Sequence, residues 1–244
     1  MRQLIEHDWR LTPAQAIALQ KKLAGQVIVG DQLGEIKRVA GIDVGFESNN
    51  TITRAAVAVL SFPQLMLVDY SVYRTPTEFP YIPGLLSFRE IPAVLKAMAT
   101  LKQAPDLVLC DGQGLAHPRR FGIACHLGVI TGLPTIGVAK TRLFGQYADP
   151  PQQRGRWTML KDNGDTLGVV LRTRINVKPL YISVGHKIAL ETAIAYVMAC
   201  TPRYRLPETT RWAHRLASGT PEEIERAMAK QTALIAKHSD LAMP

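Results

Sequence analysis

Cysteine is scarce in this chain. Three stand among 244 residues, Cys110, Cys125 and Cys200, and none are spaced Cys-x-x-Cys. That argues against a zinc ribbon or a dithiol redox pair. Cys110 and Cys125 lie in apolar runs and read as buried, inert thiols of a reducing, cytoplasmic setting. Long hydrophobic runs are missing as well. The least charged stretch, 123–139, is broken by His126, three glycines and Pro134, too short and interrupted to span a bilayer. Residues 1–11 lack the apolar stretch of a signal peptide. Heptads, internal repeats and low-complexity linkers are absent too, so a monomer with one domain over 1–244 is expected. Acids are the minority charge, 20 Asp+Glu against 29 Lys+Arg, which leaves a net +9. The excess favours an anionic partner, whether nucleic acid, an anionic surface or a phosphorylated small molecule. It is uneven: residues 1–140 hold 14 basic and 11 acidic residues (+3), residues 141–244 hold 15 and 9 (+6).

What is present is a hydrophobic content of 47%, enough for a sizeable core. Thr12-Pro13-Ala14-Gln15 reads as a capping box that opens a helix to about Ala24, with Gly25 as its stop. Three strand-like runs follow, 36–46, 54–60 and 65–74, joined by short turns, which predicts an antiparallel meander. After the turn-rich Pro80-Tyr81-Ile82-Pro83-Gly84 come a helix to about Leu101, a buried strand over 107–110, a helix over 119–130 and a strand over 134–139. Strand, helix and strand at this spacing predict parallel pairing through right-handed crossovers. The fold class is therefore α/β, one mixed sheet flanked by helices. Further strands are predicted over 167–173 and 180–184, and a helix over 189–200. A second capping box, Thr220-Pro221-Glu222-Glu223, opens a C-terminal helix to about Lys237. Residues 218–244 form a helical extension with no assigned role.

The candidate chemistry sits at strand ends. Asp43 and Asp111 each close an apolar run, and each is followed by a glycine within two residues. Carboxylates projected from neighbouring strand ends lie where open α/β sheets bind ligands, and a pair can hold a hard cation. Either aspartate alone is equally a turn residue bonding its own backbone. Glu90 fits two readings: the acid of a Ser87-x-x-Glu90 capping box, or, if the helix starts nearer Pro92, a free ligand. His117 lies in a Gly- and Pro-marked loop six residues from Asp111, ahead of Arg119 and Arg120 at a candidate helix start. Lys140 ends a strand and is either a phosphate contact or a solvated edge lysine. His126 reads as structural. The 202–216 segment interleaves Arg203, Arg205, Arg211 and Arg215 with Tyr204 and Trp212. It suits phosphate contact and base stacking, or an amphipathic segment whose arginines snorkel. His214 joins the site only if the fold carries it to the carboxylates.

Taken in order, these motifs resemble those of the endonuclease V family. Val39-Ala40-Gly41-Ile42-Asp43-Val44-Gly45-Phe46 comes first, then 80–90 (PYIPGLLSFRE). Asp111-Gly112-x-Gly114-x-x-His117-Pro118-Arg119, Gly137-Val138-Ala139-Lys140 and Tyr204-Arg205-Leu206-Pro207-Glu208-x-Thr210-Arg211 complete the set. The resemblance implies an RNase H-like fold and Mg²⁺-dependent hydrolysis, with Mn²⁺ as a substitute. The expected cut is at the second phosphodiester bond 3′ to a deaminated base, chiefly deoxyinosine, leaving 3′-hydroxyl and 5′-phosphate ends. It implies Asp43, Glu90, Asp111 and His214 as metal ligands, and Lys140 and His117 as further catalytic residues. Tyr81 is implied as a strand-separating wedge, with Pro83, Gly84, Gly112 and Arg119 on the substrate. The partner is then DNA containing deoxyinosine, or RNA containing inosine as the alternative. A structure-specific nuclease of the same fold and an inactive nucleic-acid-binding module are the remaining readings. Gln113 and Cys125 depart from the family pattern, which often has His or Asn, and Ser, at those places.

Overall fold

The computed structural model describes residues 4–240, with side chains as far as Gln231. Residues 1–3 and 241–244, the ends of the expected domain, lie outside the described residues. Helix α1 (Pro13–Ala24) opens on the expected capping box, Thr12 Oγ1 accepting from the Gln15 N–H and Gln15 Oε1 from the Thr12 N–H. Strands β1 (Arg38–Glu47), β2 (Ile52–Ser61) and β3 (Leu67–Pro76) form the antiparallel meander. Helix α2 (Leu86–Ala99) leads to β4 (Leu107–Cys110), which pairs parallel to β1; α3 (Ile123–Thr131) leads to β5 (Thr135–Ala139), parallel to β4. Then come β6 (Trp157–Asp162), β7 (Asp165–Leu171), β8 (Leu180–His186), α4 (Leu190–Ala199), α5 (Glu208–Ser218) and α6 (Pro221–Asp240). All eight strands share one sheet in the order β3-β2-β1-β4-β5-β8-β7-β6.

Alternation along the central strands divides the core between two faces. Val39, Ala56, Ala58 and Leu60 point toward α4 and α5, packing with Val197, Trp212 and Leu216. Ala40, Ile42, Val57 and Val59 point the other way, toward Ile91 and Val94 of α2 and Ile123 and Leu127 of α3. No helix among the described residues is long and apolar enough to cross a membrane.

Three expectations need correction. Helix α2 starts at Leu86 and runs through Pro92, so Glu90 lies inside it and Ser87 caps nothing. Ser87 Oγ instead meets His126 Nδ1 at 2.9 Å. An internal proline costs a helix about 3 kcal/mol. Burying Phe88, Ile91, Val94 and Met98 offsets that, at about 1.5–3 kcal/mol per large side chain. Helix α3 starts at Ile123, not Arg119, because Arg120 adopts φ +55 and Gly122 is the extended N-cap. Strand β6 was not expected: its apolar Trp157 and Met159 lie on the exposed face and only Leu160 is buried, so its sequence lacks a strand's apolar-in, polar-out alternation.

Candidate active site

The parallel register of β1 and β4 ends at the pair Ile42 and Cys110, so Asp43 and Asp111 follow side by side at the sheet mouth. The Asp111 N–H donates to Ile42 O at 3.3 Å. Helix α5 crosses β1 on the face to which Gly41, Asp43 and Gly45 point. A Cβ on Gly41 would lie 2.1 Å from Thr209 O, and one on Gly45 2.8 Å from Ala217 O. Only glycine therefore permits this approach, and it carries His214 to the aspartate between them. His214 Nδ1–H donates to Asp43 Oδ2 at 2.7 Å, and Asp43 Oδ1 accepts from the Val44 N–H at 2.9 Å.

Lys140, one residue past β5, pairs through Nζ with Asp111 Oδ2. Its own backbone is held from behind. Arg205 Nη2 donates to the carbonyls of Lys140 and Pro179, each at 2.9 Å, and Nε donates to Lys178 O at 2.7 Å. The sequence offers Arg205 as a phosphate contact or a snorkelling arginine; its Nε and Nη2 are engaged by backbone behind Lys140.

Glu90, in the second turn of α2, is 8% exposed. Burial, and then the charges of Asp43 and Asp111, push its pKa up to about 8, so it holds a proton at neutral pH. Burial and Asp43 also raise the Asp111 carboxyl, and Lys140 pulls the other way. The three carboxyls thus share one field. Among the described residues no three His, Cys, Asp or Glu side chains enclose a cation as they stand.

His117 is placed elsewhere, at the root of the Pro80–Gly84 loop. Gly84 has φ +79, and its carbonyl accepts from three side chains: Arg119 Nη2 at 2.6 Å, His117 Nε2–H at 3.0 Å and Gln20 Nε2 at 3.0 Å. His117 Nδ1 accepts from the Arg119 N–H at 3.1 Å, which completes the neutral tautomer. Burial, then the Arg119 charge, push its pKa down to about 4. Arg119 Nε also donates to Gln20 Oε1 at 2.6 Å. Gln20 was not foreseen; the signal was a polar residue on the buried face of α1, between Ala16 and Leu23. Beyond this root Tyr81 is 69% exposed. Tyr81, Pro83, Gly84, Gln113, His117 and Ile123 line a pocket of about 110 Å³. Gly112 packs on Ile123 from behind.

The family model for endonuclease V matches residues 21–215 of this sequence. The chain belongs to the endonuclease V family. The Endonuclease V of Nostoc punctiforme is 59% identical over 214 residues, 87% of this chain and 97% of that one. Among solved structures, Endonuclease V from Streptomyces avermitilis is 44% identical with TM-score 0.82, covering 93% of this chain and 98% of that one. Endonuclease V from Ciona intestinalis, in complex with a 24mer DNA containing an inosine followed by a ribo-adenosine, is 27% identical. Its TM-score is 0.72, covering 88% of this chain and 98% of that one. The fold is RNase H-like, and the protein is a nuclease, hence a hydrolase.

Neither departure from the endonuclease V pattern disturbs the carboxylates. Gln113 Nε2 donates to Thr141 O at 3.0 Å. The Cys125 thiol is fully buried, with Sγ 3.6 Å from Val184 O, and burial pushes its pKa up to about 12.

Proposed function

We propose that this endonuclease V recognises deoxyinosine in DNA and hydrolyses the second phosphodiester bond 3′ to it, leaving 3′-hydroxyl and 5′-phosphate ends. The observation that carries the reading is the juxtaposition, at one sheet mouth, of Asp43 and Asp111 with Lys140 and His214, together with the field they share with Glu90. The inosine-containing DNA in the Ciona complex supports the choice of lesion. The donor set suits a hard divalent cation, because three carboxyls in one field bind such an ion better than they bear one another's charge. Asp43, Glu90, Asp111 and His214 would hold Mg²⁺, or Mn²⁺ in its place. When bound, the ion supplies a Lewis acid for the phosphoryl oxygens and lowers the pKa of a coordinated water.

The chain's own groups do the rest. Lys140, aimed by Arg205, offers a fixed positive charge against the charge that builds on the phosphate. Tyr81 stands exposed on a loop that two prolines stiffen and the Gly84 clamp anchors. Little conformational entropy is then lost when the ring inserts beside a weakly paired base. His117, neutral and fully engaged, serves the loop instead of transferring protons.

The test is to incubate the protein and Mg²⁺ with labelled strands carrying one inosine, in DNA and in RNA, and to map the cut. A nick at the second bond 3′ to deoxyinosine is expected. No cut near inosine in either strand rejects the reading, and a cut confined to RNA replaces it with the ribonuclease alternative. Asp43→Ala should stay folded and bind inosine DNA while losing nicking by at least about 10²-fold. Nicking at the parent's rate would sink the assignment.

A further inference from the structure

Helix α6 lies past the residues that the family model matches. Its inner side is accounted for. Ile224, Ala227 and Met228 pack on the core. Gln231 ties it to the edge strand, Oε1 accepting from the Leu67 N–H at 3.1 Å and Nε2 donating to Leu67 O at 3.0 Å. What remains is a groove of about 600 Å³ between α5 and α6. Arg211 and Arg215 line it from α5, Arg226 and Lys230 from α6, and Glu223 is the one acid on its walls. That carboxylate already accepts from the Thr220 N–H at 3.0 Å. Arg211 pairs with Glu208 at 2.6 Å and lies 3.4 Å over the Tyr204 ring. No ion pair among the described residues neutralises Arg215, Arg226 or Lys230. His214, the partner of Asp43, lines the same groove, so it opens directly onto the candidate active site.

We propose that this groove is a track for the phosphodiester backbone of the nucleic acid flanking the cut. A strand passing His214 meets Arg215, then Arg226 and Lys230, each offering donors and charge to a phosphate oxygen. Continuity with the candidate active site makes the occupant an extension of the substrate and not a separate metabolite. Lysine and unpaired arginine hold phosphates without reading bases, so the track adds affinity and not sequence preference. The inference rests on the nuclease reading for what enters the site. Its test does not use inosine.

Binding of an undamaged duplex is measured by fluorescence anisotropy over a range of salt. The parent's log affinity falls linearly with log salt. In Arg226→Gln/Lys230→Gln the slope should shrink by roughly 1.8, the loss of two phosphate contacts at about 0.9 each. Circular dichroism and thermal unfolding should show α6 still docked. Lys230→Arg, which keeps the charge, should bind as the parent does. Lys21→Gln/Lys22→Gln on α1, which packs beyond α3 on the opposite side of the sheet, should keep the parent's slope. A folded double variant with the parent's slope overturns the track, whether or not the parent nicks inosine strands. A reduced slope supports it even if inosine proves to be the wrong lesion.

Discussion

Glu90 is a carboxyl whose ionisation this fold resists. It sits in the buried face of α2 because its neighbours Ile91 and Val94 face the sheet and Phe88 packs with Phe79 and Leu85, and the helix cannot turn it outward without exposing them. Its native pKa, about 8, lies above the ordinary 4.5, so the folded chain binds a proton that the unfolded chain has released. Its own contribution to stability without metal therefore falls as pH rises from about 4.5 toward 8. Glu90→Gln keeps the shape and removes the titration. It should lose nicking by about 10²-fold or more, yet melt higher than the parent at pH 8 in chelator, by about 2–4 °C for each kcal/mol relieved. Equal melting points there would refute the buried, field-raised carboxyl. Arg205 is a different case, since it touches Lys140 only through backbone. Arg205→Lys cannot reproduce three bonds from one planar fork. It should lower kcat with KM little changed, and kcat equal to the parent's would deny it a positioning role.

At the scale of elements, two devices build the site. One is the close crossing of α5 over β1; the other is the clamp under the Tyr81 loop. Gly84→Ala tests the second. The new Cβ would sit 2.7 Å from Arg119 Nη2 at a backbone φ of +79, so strain of about 1–3 kcal/mol must be released by moving the loop. Tyr81 would be intact but no longer held. Gly84→Ala should therefore lose discrimination between inosine and undamaged duplex, as Tyr81→Ala should, and unaltered discrimination would show that the clamp is not needed. Asp43, Asp111 and Lys140 were legible in the sequence because each ends an apolar run, a local signal. So was α1, through its capping box. What was not legible is how His117 and Arg119 are held. Their partner is the Gly84 carbonyl, more than 30 residues away, and no local pattern announces such a contact. Arg205 was ambiguous likewise, because an arginine among aromatics looks the same whether it binds phosphate or backbone. Strand β6 was missed because, at the sheet edge, it buries only Leu160 and exposes its apolar Trp157 and Met159.

For the whole molecule, two sets of buried titratable groups oppose each other. His117 and His186 are pushed down to about 4 and His126 well below 6.5, each mainly by burial. Each fastens a peripheral segment: His117 the Gly84 loop, His126 the residue His7 at 2.9 Å, and His186 the Ile28 N–H at 3.2 Å. These neutral rings stabilise the fold fully above pH 6.5, and that contribution is lost as pH falls toward 4, at no more than about 1.4 kcal/mol per pH unit each. Glu90 and Asp111 act in the opposite sense, since their raised native pKa values favour the fold at low pH. Three histidines outweigh two carboxyls between about pH 4 and 6.5; above that the histidines no longer change and Glu90 still does. Without metal, the melting temperature should thus rise with pH to a maximum near 6.5 and then decline toward pH 8. A divalent ion binds the ionised carboxylates, so saturating Mg²⁺ should flatten the decline and leave the acid limb in place. Thermal scans from pH 4.5 to 8.5, in chelator and in Mg²⁺, separate the two limbs. A decline that persists in Glu90→Gln, or that Mg²⁺ leaves untouched, would place its cause outside the carboxylate cluster.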